Sequence, residues 1–184
     1  ENLPLTYEVA DLNFADLGEN EYDLVLAQTA LHHCLYLENV ADAIARALKP
    51  GGLLWLHDYV GESMFQYDGY KMELANRMLS ILPEKYRLNT LTGRVIDSIK
   101  RPKLPLNSPF ESIHSQEIPQ IFYDRFEVVE KHEFVGVSRL VCPNGTKSAY
   151  AESEEGRTIF ELIMLIDEIT IAHGLIRPTG LQCI

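Results

Sequence analysis

The stretch from Tyr22 to Gly52, YDLVLAQTALHHCLYLENVADAIARALKPGG, constrains the fold of this chain more than any other. It begins with a short apolar run, Leu24–Ala27, and passes through a polar turn that carries two histidines. A segment with apolar residues at helical spacing follows, and Lys49-Pro50-Gly51-Gly52 ends it. The stretch therefore predicts a strand, a turn and a helix that lead into another strand.

Strands are also predicted on either side of this unit. Leu5–Val9 mixes β-branched and aromatic residues and predicts a short buried strand before Asp11, while Leu53–Tyr59 predicts a third strand after the glycines. The helix is expected over Val40–Leu48, with Asn39 as its cap. Strand, helix and strand joined by short loops imply a parallel crossover. We therefore expect an α/β fold, a layered sheet of mostly parallel and buried strands with helices on both faces.

The rest of the chain predicts further helices and two more strands in one domain, residues 1–184. Residues 61–124 would form a helical and loop insertion after the third strand, and residues 125–184 the last strands with a long helix. Helical spacing predicts helices over Tyr67–Leu82, Leu91–Ile99, Ser115–Phe122 and Glu154–His173. Strands are expected at Phe126–Val135 and Leu181–Ile184.

Composition excludes several functional classes. The 184 residues, 46% of them hydrophobic, suffice for one globular core, and a net charge of −11 would repel a phosphate backbone, so no nucleic acid is expected as partner. Three cysteines without CxxC spacing argue against a disulfide framework or zinc knuckle and favour a reducing, cytoplasmic setting. The most apolar segment contains Glu161, Asp167 and Glu168, so we expect no membrane helix, and no signal peptide is recognised.

Ligands of layered α/β sheets bind at the carboxyl ends of the strands. Those ends are predicted at Asp11, at Ala27-Gln28 and at His57-Asp58-Tyr59. The pair His32-His33 follows the second of them. Adjacent residues do not share a face of a helix or strand, so we expect no metal held by both imidazoles. An imidazole, with an ordinary pKa of about 6.5, could act as general base for a substrate hydroxyl.

These residues resemble one known family, the class I S-adenosylmethionine-dependent methyltransferases, particularly the small-molecule branch that includes quinone-biosynthesis enzymes. The stretches that carry the resemblance are VADLNF, YDLVLAQTALHH and LKPGGLLWLHD. Similarity to one bacterial methyltransferase subgroup continues through SPFESIHSQEI and FEVVEKHEFVG. The resemblance implies a Rossmann-like fold, S-adenosylmethionine as cofactor, and methylation of oxygen, nitrogen or carbon on a small-molecule substrate.

The resemblance also implies roles for cofactor-binding residues. Asp11 and Leu12 would bind the adenine, with the Asp11 carboxylate accepting a hydrogen bond from its amine; the alternative is that Asp11 only bonds turn amides. Ala27 and Gln28 would contact the methionine moiety, although strand-end packing is an alternative for Gln28. His32 would lie near the cofactor or substrate as a candidate general base, and His33 would be a packed residue.

The acceptor side is expected after the third strand. The substrate would be bound there by Tyr59, Phe65, Gln66 and Tyr67, with Glu62 beside them. The alternative for this aromatic set is ordinary core packing. Glu111 and His114 could approach the active site from the insertion, but we interpret them as parts of a solvated loop.

The sequence departs from the family at its start. The family opens its sheet with a strand that feeds a GxGxG loop and a second strand that ends in an acidic ribose ligand, whereas no GxG occurs here. We therefore expect an N-terminally incomplete methyltransferase in which residues 1–60 form the cofactor-side half. An unpaired sheet edge would favour the alternative, a non-catalytic partner-binding or scaffolding domain that could form a homodimer. A nicotinamide dehydrogenase is the third hypothesis. It would also need a glycine-rich turn, which the sequence lacks.

Overall fold

The computed structural model describes residues 4–184. The strands of its main sheet are β1 (Tyr22–Gln28), β2 (Leu48–Tyr59), β5 (Lys131–Phe134) and β6 (Gly180–Cys183). A separate hairpin consists of β3 (Leu88–Asn89) and β4 (Arg94–Val95). The α-helices are α1 (Leu37–Ala47), α2 (Gly69–Ile81), α3 (Glu84–Arg87), α4 (Ile118–Tyr123), α5 (Ser138–Val141), α6 (Lys147–Ala151) and α7 (Glu154–Ala172).

The main sheet has the strand order β1-β2-β6-β5. β1 and β2 are parallel and joined by α1, while β6 is antiparallel to both of its neighbours. Three of the four strands therefore run in one direction. The predicted α/β fold with a mostly parallel, Rossmann-like sheet is confirmed, and the reversal of β6 is the exception.

The helices pack in two apolar clusters. In the first, α1 and α4 cover β2, and the buried residues include Leu37, Ile44, Leu56, Ile118 and Phe122. In the second, α2, α5, α6 and α7 bury a different set, which includes Ala75, Leu79, Val141, Tyr150 and Ile163. Within residues 4–184, no helix is both long and apolar enough to cross a bilayer.

Two expectations about the first strands are wrong. Leu5–Val9 is not a strand, and its large side chains are exposed. Within the described part of the chain, no strand pairs with this segment to accept its backbone hydrogen bonds. β1 exists as predicted but is not buried on both sides: Leu24 and Leu26 are 49% and 64% exposed. β1 is an edge strand of the described sheet, and these two side chains lie on a face that the described residues do not cover.

The boundaries of α1 also differ from the prediction. The helix starts at Leu37, whose side chain is already buried. Asn39 therefore lies inside the first turn and does not cap the helix. The preceding amides of Leu35 and Tyr36 donate to Oδ1 of Asn13. The segment Lys49-Pro50-Gly51-Gly52, predicted to end the helix, belongs to β2 instead. Gly51 has a φ of +79° there, and the register of β2 against β1 shifts beside it.

Farther along the chain, α2, α7 and β6 confirm the predictions within a few residues. The predicted helix over Leu91–Ile99 is wrong, because that segment holds the turn and second strand of the β3–β4 hairpin. Oδ1 of Asn89 accepts from the amides of Leu91 and Thr92, and Gly93 has a φ of +67°. A side chain that bonds the backbone in this way competes with helix formation. β5 is shorter than predicted, and the subdivision of residues 1–184 stays a prediction.

Candidate functional site

A buried carboxylate joins the carboxyl ends of β1 and β2. Asp58, near the end of β2, is 2% exposed. Its Oδ2 accepts hydrogen bonds from the amides of Ala30 at 3.0 Å and Leu31 at 2.8 Å, in the turn that follows β1. Its Oδ1 accepts from the Tyr59 amide at 2.7 Å. The carboxylate therefore fixes the turn after one strand to the end of its neighbour.

The same carboxylate orients His32. Nδ1 of His32 lies 2.5 Å from Oδ1 of Asp58, and the imidazole is 11% exposed. A carboxylate can only accept, so Nδ1 carries the proton and the neutral ring has its lone pair on Nε2. The ring of Tyr59 packs edge-on, with its centroid 6.3 Å from that of His32. The site thus holds one histidine in one tautomer with Nε2 available.

Glu111 reaches this site from the insertion and is not part of a remote solvated loop. Its Oε1 lies 3.9 Å from Nε2 of His32, and its Oε2 lies 3.7 Å from Nδ1 of His33. One atom from each of the three side chains falls within 4.8 Å of the others. The two histidines lie in a short 3-10 turn, where adjacent side chains can approach one point, so the geometric argument against a shared metal does not hold. The expectation that no metal binds stays a prediction.

His33 is more exposed than expected, and His114 lies in a partly exposed turn. The side chain of His33 is half-exposed, and its ring lies 4.1 Å from that of His32, centroid to centroid. His114 pairs with Glu117 on its own turn, with Nδ1 and Oε1 2.9 Å apart. His114 is therefore a suitable control for experiments on His32.

At the predicted adenine site, Asp11 forms hydrogen bonds within its own turn, as the alternative interpretation expects. Oδ1 of Asp11 accepts from the amide and the side-chain nitrogen of Asn13, at 3.0 and 2.8 Å. Leu12 is exposed. Burial raises the pKa of the Cys34 thiol, and the charges of Asp58 and then Asp11 raise it further. The Asp11 carboxylate therefore acts electrostatically on Cys34, the residue that follows His33, and its role toward adenine stays a prediction.

Ala27 and Gln28 lie at the end of β1 as predicted. Ala27 is buried in the first apolar cluster and pairs with Leu56, while Gln28 is exposed and pairs with His57. The next residue, Thr29, donates its amide to the carbonyl of His57 at 2.8 Å. The small side chain of Ala27 is thus explained by packing, and contact of both residues with a cofactor stays a prediction.

Three of the four predicted acceptor residues form one series of rings. The centroids of Tyr59 and Phe65 lie 5.3 Å apart, and those of Phe65 and Tyr67 lie 6.3 Å apart. Phe65 and Tyr67 line a cavity of about 530 Å³. Gln66 does not join them, because its Nε2 donates to the carbonyls of Met64 and Pro102.

The tyrosine and cysteine side chains near these rings are unsuited to act as bases at neutral pH. Burial raises the pKa of Tyr59 and of Tyr67, and the charge of Arg139 opposes the shift in both. Burial also raises the pKa of the Cys142 thiol, which lines the cavity, to about 11. These groups remain protonated, so His32 is the better-placed proton acceptor.

Residues 1–56 match a family model described as a methyltransferase domain. This part of the chain is therefore similar to a methyltransferase domain. The match confirms the resemblance to class I S-adenosylmethionine-dependent methyltransferases and covers β1, α1 and most of β2. It includes His32 and ends two residues before Asp58, the residue that orients His32.

Solved structures and curated proteins add little to the methyltransferase match. The [4+2]-cyclase SpnF aligns with a TM-score of 0.38 and 15% identity, over 83% of this chain and 40% of that chain. The YcgJ protein from Bacillus subtilis aligns with a TM-score of 0.34 and 15% identity, over 95% and 65%. This chain therefore spans less than two thirds of either relative. No curated protein matches it.

Proposed function

We propose that this methyltransferase domain transfers a methyl group from S-adenosylmethionine to oxygen, nitrogen or carbon of a small molecule. The observation that carries the proposal is the methyltransferase match over the strand-helix-strand unit whose carboxyl ends meet at Asp58. S-adenosylmethionine would be held by Asp11, Leu12, Ala27, Gln28 and His32 and would supply an electrophilic methyl group.

The polar groups of the chain fit this cofactor. Asp11 uses Oδ1 for its turn, whereas among residues 4–184 no group donates a hydrogen bond to its Oδ2. That oxygen is free to accept from an exocyclic amine. Gln28 is exposed at the end of β1, so its amide is also accessible.

The role we assign to His32 is that of general base. An acceptor hydroxyl attacks more readily as it loses its proton, and Nε2 of His32 can take that proton while Asp58 holds Nδ1–H. The imidazolium so formed would lie 3.9 Å from Oε1 of Glu111, which favours its positive charge. Alignment of the acceptor with the methyl group would supply the remaining acceleration.

Cofactor binding is the direct test of the proposal. Titration calorimetry of the full-length protein with S-adenosylmethionine is expected to give saturable binding at one site. Asp11→Ala should weaken binding about tenfold, because a charged hydrogen bond is lost. Asp16→Ala, in the next loop, is the control and should bind normally. No measurable binding at millimolar cofactor would refute the proposal.

His32→Gln is expected to lower kcat/KM about 100-fold for an acceptor with an ionisable hydroxyl, because general-base catalysis is lost. His114→Gln is the matched control and should retain the rate of the unmodified protein.

A chelator distinguishes this role from metal binding by His32, His33 and Glu111. General-base catalysis needs a free Nε2, so treatment with EDTA should leave the rate unchanged. Loss of activity that zinc or manganese restores would assign the three side chains to a metal and contradict the role of His32 as base.

A partner-binding domain remains the second candidate, favoured by the edge position of β1. Tyr22, Leu24, Leu26 and Leu53 are exposed on or beside this strand. Exposed strand edges pair readily with other chains. A full-length protein that binds the cofactor and is monomeric by light scattering would count against this candidate, including its homodimer form.

A further inference from the structure

The cavity beside the aromatic rings combines apolar walls with positive charge. Phe65, Phe160 and Met164 supply apolar surface, and Arg139 and Lys147 supply the charge. Its lining contains no acidic side chain, although the chain has 27 acidic and only 16 basic residues. The cavity therefore has the opposite sign to the molecule as a whole.

The two cations have no carboxylate partner. Within residues 4–184, neither Arg139 nor Lys147 forms an ion pair with an aspartate or glutamate. The guanidinium carbon of Arg139 lies 4.6 Å from the ring centroid of Tyr59 and 5.7 Å from that of Phe65. Stacking on ring faces holds a guanidinium in place and leaves most of its five N–H groups available to a ligand. Arg139 is therefore positioned but not neutralised.

We propose that this cavity binds the methyl acceptor and selects one that carries a carboxylate or phosphate group on an aromatic or aliphatic body. This inference rests on the proposed methyl transfer. Arg139 binds the anionic group through its planar fork of donors, which matches both anions, and Lys147 adds a second charge. The apolar side chains contact the body of the molecule.

The position of Tyr59 connects this cavity with His32. Its ring lies 4.6 Å from the guanidinium carbon of Arg139 and 6.3 Å from the ring of His32. An acceptor anchored at Arg139 therefore has to extend past a single aromatic side chain to bring a hydroxyl to Nε2. The volume of about 530 Å³ lies within the range of small-molecule sites.

The test measures acceptor binding to the full-length protein by calorimetry, without cofactor. Three matched pairs are compared: 4-hydroxybenzoate with 4-hydroxybenzamide, hexanoate with hexanamide, and phenyl phosphate with phenol. We expect at least one anion to bind about tenfold more tightly than its neutral partner, and the preference to shrink with added salt. The phosphate pair shows which anionic group is preferred.

Substitutions then assign the preference to the two cations. Arg139→Gln should remove most of it, and the exposed Lys147→Gln should reduce it about threefold without affecting folding. Arg46→Gln on α1 makes the same change in net charge and should leave the preference intact. Thermal melts of each variant identify any loss of folding.

The inference is overturned if no pair shows an anion preference, or if the preference survives in the double variant Arg139→Gln/Lys147→Gln. Failure of the proposed methyl transfer gives a different result. In that case anions bind as described, whereas S-adenosylmethionine does not bind at millimolar concentration.

Discussion

Lys71→Ala is expected to lower the free energy of unfolding by about 3–5 kcal/mol, because it strands a buried charge. The Lys71 side chain is completely buried, and its Nζ lies 2.6 Å from Oε1 of Glu62, whose side chain is 9% exposed. Among the described residues, no group donates a hydrogen bond to Oε2 of Glu62. Urea denaturation followed by circular dichroism would measure the loss.

The double variant Glu62→Gln/Lys71→Met separates a stranded charge from lost packing. Replacement of a whole buried ion pair by neutral groups costs much less than removal of one partner, and can even stabilise. The double variant should therefore be clearly more stable than Lys71→Ala. Lys85→Ala removes an exposed ion pair with Glu155 and should leave unfolding essentially unchanged. Equal destabilisation by the single and double variants would contradict this account of Lys71.

Asp167→Ala should destabilise the protein by a similar amount, about 3–5 kcal/mol, because several buried amides lose their acceptor together. Asp167 lies in α7 and is 2% exposed. Its carboxylate accepts from the amides of Gly136 at 2.8 Å, Val137 at 2.6 Å and Ser138 at 3.1 Å. These amides lie just before α5 and at its first residue. Asp167 therefore links the longest helix to the segment that carries Arg139.

Asp167→Asn is the informative partner of this variant, since it keeps one acceptor oxygen and should lose an intermediate amount of stability. Glu168→Ala removes an exposed carboxylate from the next position of α7 and serves as control. Chemical denaturation would rank the three variants. If the alanine and asparagine variants were equally stable, the hydrogen bonds to α5 could not be the cause.

Local patterns predicted the parts of the fold that depend on neighbouring residues. The strand-helix-strand unit from β1 to β2 and the long helix α7 follow from apolar spacing and turn residues, and both are present. Burial was predicted less well. Leu24 and Leu26 are typical of a buried strand, but exposure depends on what covers a face, which the strand itself does not encode.

In the candidate site, too, features set by neighbouring residues could be predicted and contacts between distant residues could not. His32 could be singled out from its place after a strand, but its partners Asp58 and Glu111 come from distant parts of the chain. Asp58 meets His32 only through the register of β1 against β2. The pattern of Arg139 and Lys147 around one cavity was not visible either, because the short helices α5 and α6 have too few residues to show a period.

The position of β6 in the sheet has a consequence for synthesis. β6 spans residues 180–183, yet it lies between β2 and β5 and provides the described hydrogen-bonded link between them. During translation, β1, α1 and β2 can associate early, whereas β5 pairs with no other described strand until β6 leaves the ribosome. Such late, long-range pairing slows folding and exposes strand edges meanwhile. A nascent chain that stalls after residue 179 would therefore leave the facing edges of β2 and β5 unpaired. Chaperones would be needed to prevent these edges from pairing with other chains.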